Sequence, residues 1–257
     1  MAKILISILN KMEDTPSYKD ILNRLREICI VKSLKEGMLA GHFCRLLSPY
    51  CSAFFIKRGY SPNKVTVFMI LFGIIGSIFF ALPYGWAKIV GYIFWYLWFT
   101  MDLSDGEVAR YTHKFSKYGV EMDYMAHLID HPLMNIALWL TFLEFNLINT
   151  NLLALIFIVS ISVELVLRNI TAFQYYKGYS GTTQELQSTR QNASILKYLL
   201  MQATLYPNFI ILFTPIIIFD WFIKSGIALY FYIGWMVYCT LIFIRTIYKT
   251  VAIFYKN

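Results

Sequence analysis

Charge is scarce in this chain. Asp, Glu, Lys and Arg make up 15% of its 257 residues, while hydrophobic types make up 58% and mean hydropathy is +0.55; a soluble domain carries about 25% charged and roughly 45–50% apolar residues. A water-soluble globular protein is thereby excluded. Glycine and proline, at 13 and 7, are too few for a collagen-like chain. Cysteine is limited to Cys29, Cys44, Cys51 and Cys239, with no CxxC pair and no zinc-ligand spacing, so a disulfide scaffold, a redox motif and a structural zinc site fall away and free thiols are expected. The apolar run in residues 1–10 meets Lys11, Glu13 and Asp14 with no small-residue cleavage site, and no signal peptide is expected. Aromatics, by contrast, are plentiful, and 21 Phe, 19 Tyr and 6 Trp rule out a disordered polyelectrolyte. What remains is an all-α integral membrane protein.

A bilayer asks for about 20 apolar residues per helix. Residues 65–82, 151–173, 198–219 and 226–244 meet or approach this unaided, and two partly polar segments, 86–101 and 124–147, bring the expected count to six transmembrane helices. Pro132, Pro207 and Pro215 fall inside these spans, where neighbouring helices commonly compensate a kink. Ahead of the first span, residues 18–30 and 34–56 mix apolar and basic positions at helical spacing, as an amphipathic, interfacial segment does and as a helix packed on the bundle also does. The expected division is an N-terminal extension, 1–60, and a membrane domain, 61–257. The longest polar connection is 174–193, and no internal repeat is present.

The net charge of +8 and pI near 9.2 do not point to nucleic acid, because basic residues beside membrane segments are an orientation signal. With the N-terminus cytoplasmic, only Lys88 and Lys224 of the 23 Lys and Arg fall on the opposite face. Both termini are therefore expected in the cytoplasm.

Six of the 15 acidic residues, Asp102, Asp105, Glu107, Glu121, Asp123 and Asp130, fall between positions 102 and 130. Carboxylates at the edge of a bilayer are costly unless paired or metal-bound, so a functional site is the default reading. At about 100° per residue, Asp102, Asp105, Gly106, Ala109 and Arg110 share an arc of roughly 140° on one helix. Gly119, Asp123 and His127 follow at i, i+4, i+8 on the next, so two stripes can face each other across a polar pocket.

Written out, the segment is D-L-S-D-G-E-V-A-R, eight residues, then G-V-E-M-D-Y-M-A-H. It resembles the CDP-alcohol phosphotransferase family pattern D-x2-D-G-x2-A-R-x8-G-x3-D-x3-D at seven of eight fixed positions. The segment Ser61-Pro62-Asn63-Lys64-Val65-Thr66 also looks like the P-N-x-[IV]-T entry to that family's first span. The resemblance implies attack of an alcohol on the β-phosphorus of a CDP-alcohol with release of CMP. By the same resemblance, Asp102, Asp105 and Asp123 hold one or two divalent ions, Mg²⁺ or Mn²⁺. Gly106, Ala109 and Gly119 let the CDP moiety lie on helix backbone, and Arg110 contacts a phosphate. The active site then opens to the cytoplasm, and a homodimer is implied.

The eighth position departs from the family, with His127 where a fourth aspartate stands. Three readings stay open: His127 is the general base, it is a metal ligand alongside three carboxylates, or the site is silent and binds nucleotide without turnover. Asp130, seven residues and about 10 Å along the helix from Asp123, is too far to fill the gap. His131 either shares a metal with His127 or bonds within the bundle. Glu164 and Arg168, at i, i+4, read as an intrahelical pair or as a contact to the acceptor. Glu107 and Glu121 carry no expected role, and the aromatics from Trp86 to Phe99 read as packing and lipid-facing surface. His113, Lys114 and Lys117 either attract an anionic nucleotide or serve only as orientation charge. A transporter is the rival from another class, but it gives no reason for Gly106, Ala109, Arg110 and Gly119 at these spacings. Diacylglycerol-linked, amino-alcohol and polyol substrates all remain open, a phospholipid product being the expectation.

Overall fold

The structure, a computed structural model, describes residues 16–29, 37–176 and 193–254. Among these residues the chain is helical, without a strand. Three short helices come first: α1 (Tyr18–Ile28), α2 (Leu39–Cys44) and α3 (Ser48–Lys57). Then follow α4 (Pro62–Ala81), α5 (Gly85–Thr112), α6 (Gly119–Leu143), α7 (Thr150–Tyr176), α8 (Ile195–Ala203), α9 (Tyr206–Ile223) and α10 (Ile227–Phe254). Residues 177–192 of the expected 174–193 connection, and 1–15 and 30–36 of the N-terminal extension, lie outside the described residues.

Four helices are long and apolar enough to cross a membrane: α4, Thr150–Ile170 within α7, α9, and Ile227–Ala252 within α10. Helices α5 and α6, at 28 and 25 residues, exceed the length a bilayer needs but carry the acidic cluster at one end. Their limits differ from the expected 86–101 and 124–147, because a charged residue stops an apolar run without stopping a helix. Helix α5 runs through the acidic motif and ends only where His113 turns left-handed, at φ 53° and ψ 25°.

Proline sets two other corrections. The expected span 198–219 breaks at Thr204 and Leu205, because Pro207, lacking an N–H, is accommodated in the first turn of a new helix, α9. Likewise the 34–56 segment divides into α2 and α3, with Pro49 in the opening turn of α3.

Helix α4 is wedged against both α5 and α6, and glycine permits it. A Cβ on Gly91 of α5 would sit 2.7 Å from the Phe80 backbone nitrogen and 2.8 Å from the Gly76 carbonyl, so α4 and α5 cross backbone to backbone. A Cβ on Gly73 would meet the Asp130 carboxyl of α6 at 2.5 Å. Around these crossings Met69, Phe80, Trp95, Trp98, Phe99 and Met134 form a fully buried core. Trp86, at the other extreme of the aromatic run, is exposed, so that run both packs and faces outward.

The N-terminal helices lie against this bundle. In α1 a capping box joins Ser17 and Asp20, and Ile21 and Leu25 are buried beside Ala53 of α3. Helix α2 lacks a side-chain cap of its own. Instead, Gln202 Oε1 accepts from the Leu39 amide at 3.1 Å and Asn208 Oδ1 from the Ala40 amide at 2.8 Å, binding α2 to the α8–α9 break. The four cysteines are free, as expected. Burial pushes the Cys44 thiol up to about 12, which keeps it a protonated packing group.

Candidate active site and metal centre

The turn from α5 to α6 brings the two acidic stripes together. Asp102 on α5 and Asp123 and His127 on α6 converge, with one ligand atom from each lying within 4.8 Å of the others. His127 Nε2 is 3.2 Å from Asp102 Oδ1 and 3.5 Å from Asp123 Oδ1. His127 is buried, whereas the Asp123 side chain is 46% exposed. Among the described residues no Lys or Arg lies within ion-pair distance of Asp102, Asp105 or Asp123. Two carboxylates and an imidazole facing one another form a donor set that fits a divalent cation.

Asp105 stands apart from this group. Its Oδ2 accepts a 2.7 Å hydrogen bond from the Thr66 hydroxyl on α4. Asn63, in the same opening turn of α4, donates to Ser116 in the α5–α6 connection at 3.1 Å. The P-N-K-V-T segment thus ties α4 to both arms of the motif.

Gly106 and Gly119 are glycines without a packing reason. A Cβ on Gly119 would meet Ser116 at an ordinary 3.5 Å, and the atoms nearest to one on Gly106 belong to the flexible, exposed guanidinium of Arg110, folded back to 3.1 Å. Neither glycine is therefore required by a close approach of another backbone, in contrast to Gly73 and Gly91.

A cavity of about 520 Å³ opens beside the acidic group. Asp102, Asp123 and His127 line it from one side, Glu164 and Arg168 of α7 from another, and Thr204 to Pro207 of the α8–α9 break from a third, with Met38 joining from the N-terminal segment. Gly106, Ala109, Arg110 and Gly119 do not form part of its lining. The acids are thus reached through the cavity, and the glycine stripe lies outside it.

The remaining candidates are placed as follows. His131 is fully buried and spends both ring nitrogens within the bundle, one 3.1 Å from His127 Nδ1 and the other 2.7 Å from Glu164 Oε1, so it does not face the acids. Glu164 and Arg168 form the intrahelical pair at 3.3 Å, and Glu164 also crosses to α6. Asp130 accepts from Trp98 Nε1 at 2.9 Å and takes no part in the acidic group. Glu107 was not expected to do anything, yet it is fully buried and accepts from Ser48 at 2.8 Å and Ser52 at 2.7 Å, docking α3 onto α5. The one sequence signal for it was position, five residues after Asp102 and so rotated out of the arc that holds Asp102 and Asp105.

The family model described as CDP-alcohol phosphatidyltransferase matches residues 60–244. Against curated proteins the chain has no significant match. The matched region takes in α4 to α9, most of α10 and every residue of the acidic group.

Proposed function

The chain belongs to the CDP-alcohol phosphatidyltransferase family, and on that premise we propose that it transfers a phosphatidyl group from a CDP-linked donor to an alcohol acceptor, releasing CMP, in the synthesis of a phospholipid. The observation that carries this reading is the convergence of Asp102, Asp123 and His127 at the wall of a cavity large enough for an acceptor. In the reaction the acceptor oxygen forms a bond to the β-phosphorus, the bond from that phosphorus to the CMP oxygen breaks, and the acceptor's proton passes to a base.

Asp102 and Asp123 hold divalent metal, Mg²⁺ or Mn²⁺, with Asp105, oriented by Thr66, as a third carboxylate. Bound there, the metal neutralises charge on the diphosphate and on the leaving CMP. The stripe of Gly106, Ala109 and Gly119 takes the CDP moiety, supported by the lack of any backbone packed against its two glycines, and Arg110 moves from beside Gly106 to a phosphate. The cavity side, with Arg168 and Glu164, takes the acceptor.

Helices α5 and α6 complete six spans with the four apolar ones, and α1 to α3 lie at the interface. The distribution of Lys and Arg supports a cytoplasmic position for both termini and the site. Homodimer formation belongs to the same reading and is measured by the mass of the lipid-embedded particle.

The test is CMP release by purified, lipid-reconstituted protein with a panel of CDP-alcohols and acceptors, in Mg²⁺, Mn²⁺ or chelator, beside Asp102→Asn. Metal-dependent CMP from one donor and acceptor pair, lost in the variant, is expected. CDP binding without CMP from any pair would favour the second reading, a silent nucleotide binder, which the His127 replacement alone supports.

A further inference from the structure

Resting on the metal-site reading above, we propose that His127 is a metal ligand through Nε2 and not the proton acceptor. In this proposal His131 and Glu164 are positioning residues that fix its tautomer through a relay of two imidazoles, giving the site a nitrogen donor that favours Mn²⁺ over Mg²⁺.

The argument runs inward from α7. Glu164 Oε1 lies 2.7 Å from His131 Nδ1 and accepts from Arg168 Nε at 3.3 Å. With Arg168 beside it, Glu164 is a carboxylate, which only accepts. Two lone pairs do not approach to 2.7 Å, so Nδ1 of His131 carries the hydrogen. Arg168 Nη2, 3.3 Å from the same Nδ1, is the longer and therefore losing contact. His131 Nε2 is then the acceptor. The atom 3.1 Å from it is His127 Nδ1, which must be an N–H.

One position is left to His127, a bare lone pair on Nε2. It lies 3.2 Å from Asp102 Oδ1 and 3.5 Å from Asp123 Oδ1, so three acceptors converge at the cavity wall. Only a positive charge between them reconciles that arrangement, and a metal ion competes with a proton for it. The relay is also stiff. Trp98 meets both imidazoles edge-on, at 5.7 and 5.6 Å between centroids, and the Tyr206 ring lies 4.2 Å from that of His131. Asn135 and Tyr206 both donate to the His131 carbonyl, at 3.1 and 3.2 Å. Such a partner behind a ligating histidine fixes which nitrogen faces the metal and raises its basicity.

An aspartate at position 127 offers only acceptors, and His131 would have to turn its hydrogen the other way. The histidine at 127 and the His131–Glu164 pair therefore form one device. Mn²⁺ and the transition cations after it accept an imidazole nitrogen among carboxylates more readily than Mg²⁺, which prefers oxygen and near-octahedral hydration.

The test uses Mn²⁺ and the full-length protein in lipid nanodiscs, without substrate. Free Mn²⁺ measured by electron paramagnetic resonance gives the affinity, and pulsed measurement of ¹⁴N coupling reports a directly bound imidazole. Wild type is expected to show the nitrogen coupling, and His127→Asp to bind Mn²⁺ without it and to gain in Mg²⁺ relative to Mn²⁺ affinity. Glu164→Gln, which keeps the size of the side chain and removes its charge, is expected to weaken Mn²⁺ roughly 10- to 100-fold. Mn²⁺ binding that is lost in Asp102→Asn, yet shows no nitrogen coupling in wild type and no response to Glu164→Gln, would overturn the relay while leaving the metal site standing. No Mn²⁺ binding by wild type would overturn both.

Discussion

Helices α5 and α6 bury polar side chains at both ends, and the two ends handle them in opposite ways. Near the start of α5, Lys88 is fully buried, and its ammonium donates to the Phe80 carbonyl at 2.9 Å, the Thr141 hydroxyl at 2.9 Å and Glu144 at 2.8 Å. Glu144 uses its other oxygen to accept from Trp221 at 2.7 Å. Fourteen residues further, about 21 Å along the helix, Asp102 faces Asp123 and His127, and no fixed cation is paired with them. At the first end donors and acceptors are matched within the protein, and the result is a clasp joining α4, α5, α6 and α9. At the second, acceptors are aimed at one another, an arrangement that is costly unless a cation or a shared proton lies between them. Buried charge alone does not mark a site; mismatch does.

Substitutions at the two ends should separate function from stability. The largest effect is expected for Asp102→Asn or Asp123→Asn, which should lower CMP release by a factor of ~10³ or more, about 4 kcal/mol in barrier, while leaving thermal unfolding unchanged or raised. A variant with that loss and a collapsed melting temperature would show that the acids hold the fold together. The mirror image is Lys88→Met, which strands the Glu144 carboxylate and should cost roughly 3–5 kcal/mol of stability. Turnover per folded molecule should survive, and a fall in it at constant folded fraction would break the division between the two ends.

Metal should sharpen the contrast from the other direction. Mn²⁺ at about 100 times its dissociation constant should stabilise the protein by about 2.7 kcal/mol, read as a rise in melting temperature that Lys88→Met keeps and Asp123→Asn lacks. The smallest effect is expected for Thr66→Val, which removes the hydrogen bond to Asp105 and, at about 1 kcal/mol, should cut turnover roughly fivefold. No change would mean that Asp105 needs no holding.

How far the sequence reveals this molecule depends on how local each feature is. The acidic motif was legible because seven residues at fixed spacing sit on two consecutive helices, α4 because its apolar run is uninterrupted, and α7 because Glu164 and Arg168 come only after a long apolar stretch. The true lengths of α5 and α6 were not, since hydropathy falls at Asp102 while backbone hydrogen bonding continues to Thr112. The break at Thr204 was missed although Pro207 announced it, because in a membrane span a proline also permits a continuous, kinked helix. The relay lay further out of reach. His127 and His131 are visible as an i, i+4 pair, as are Glu164 and Arg168, but the 2.7 Å contact that joins the pairs spans 33 residues and depends on how α6 meets α7. Glu107 escaped notice for the same reason: its partners, Ser48 and Ser52, lie 59 and 55 residues away.

The cap that Gln202 and Asn208 place on α2 has a consequence for the order of assembly. The Leu39 and Ala40 amides find their acceptors 163 and 168 residues later in the chain, and Met38 beside them lines the cavity. A ribosome adding about 5–20 residues per second needs on the order of 8–34 s to make that intervening stretch. The earlier segment thus waits for the later one, and the nascent chain has no finished cavity wall, however early its acidic motif has inserted, until α9 begins to emerge.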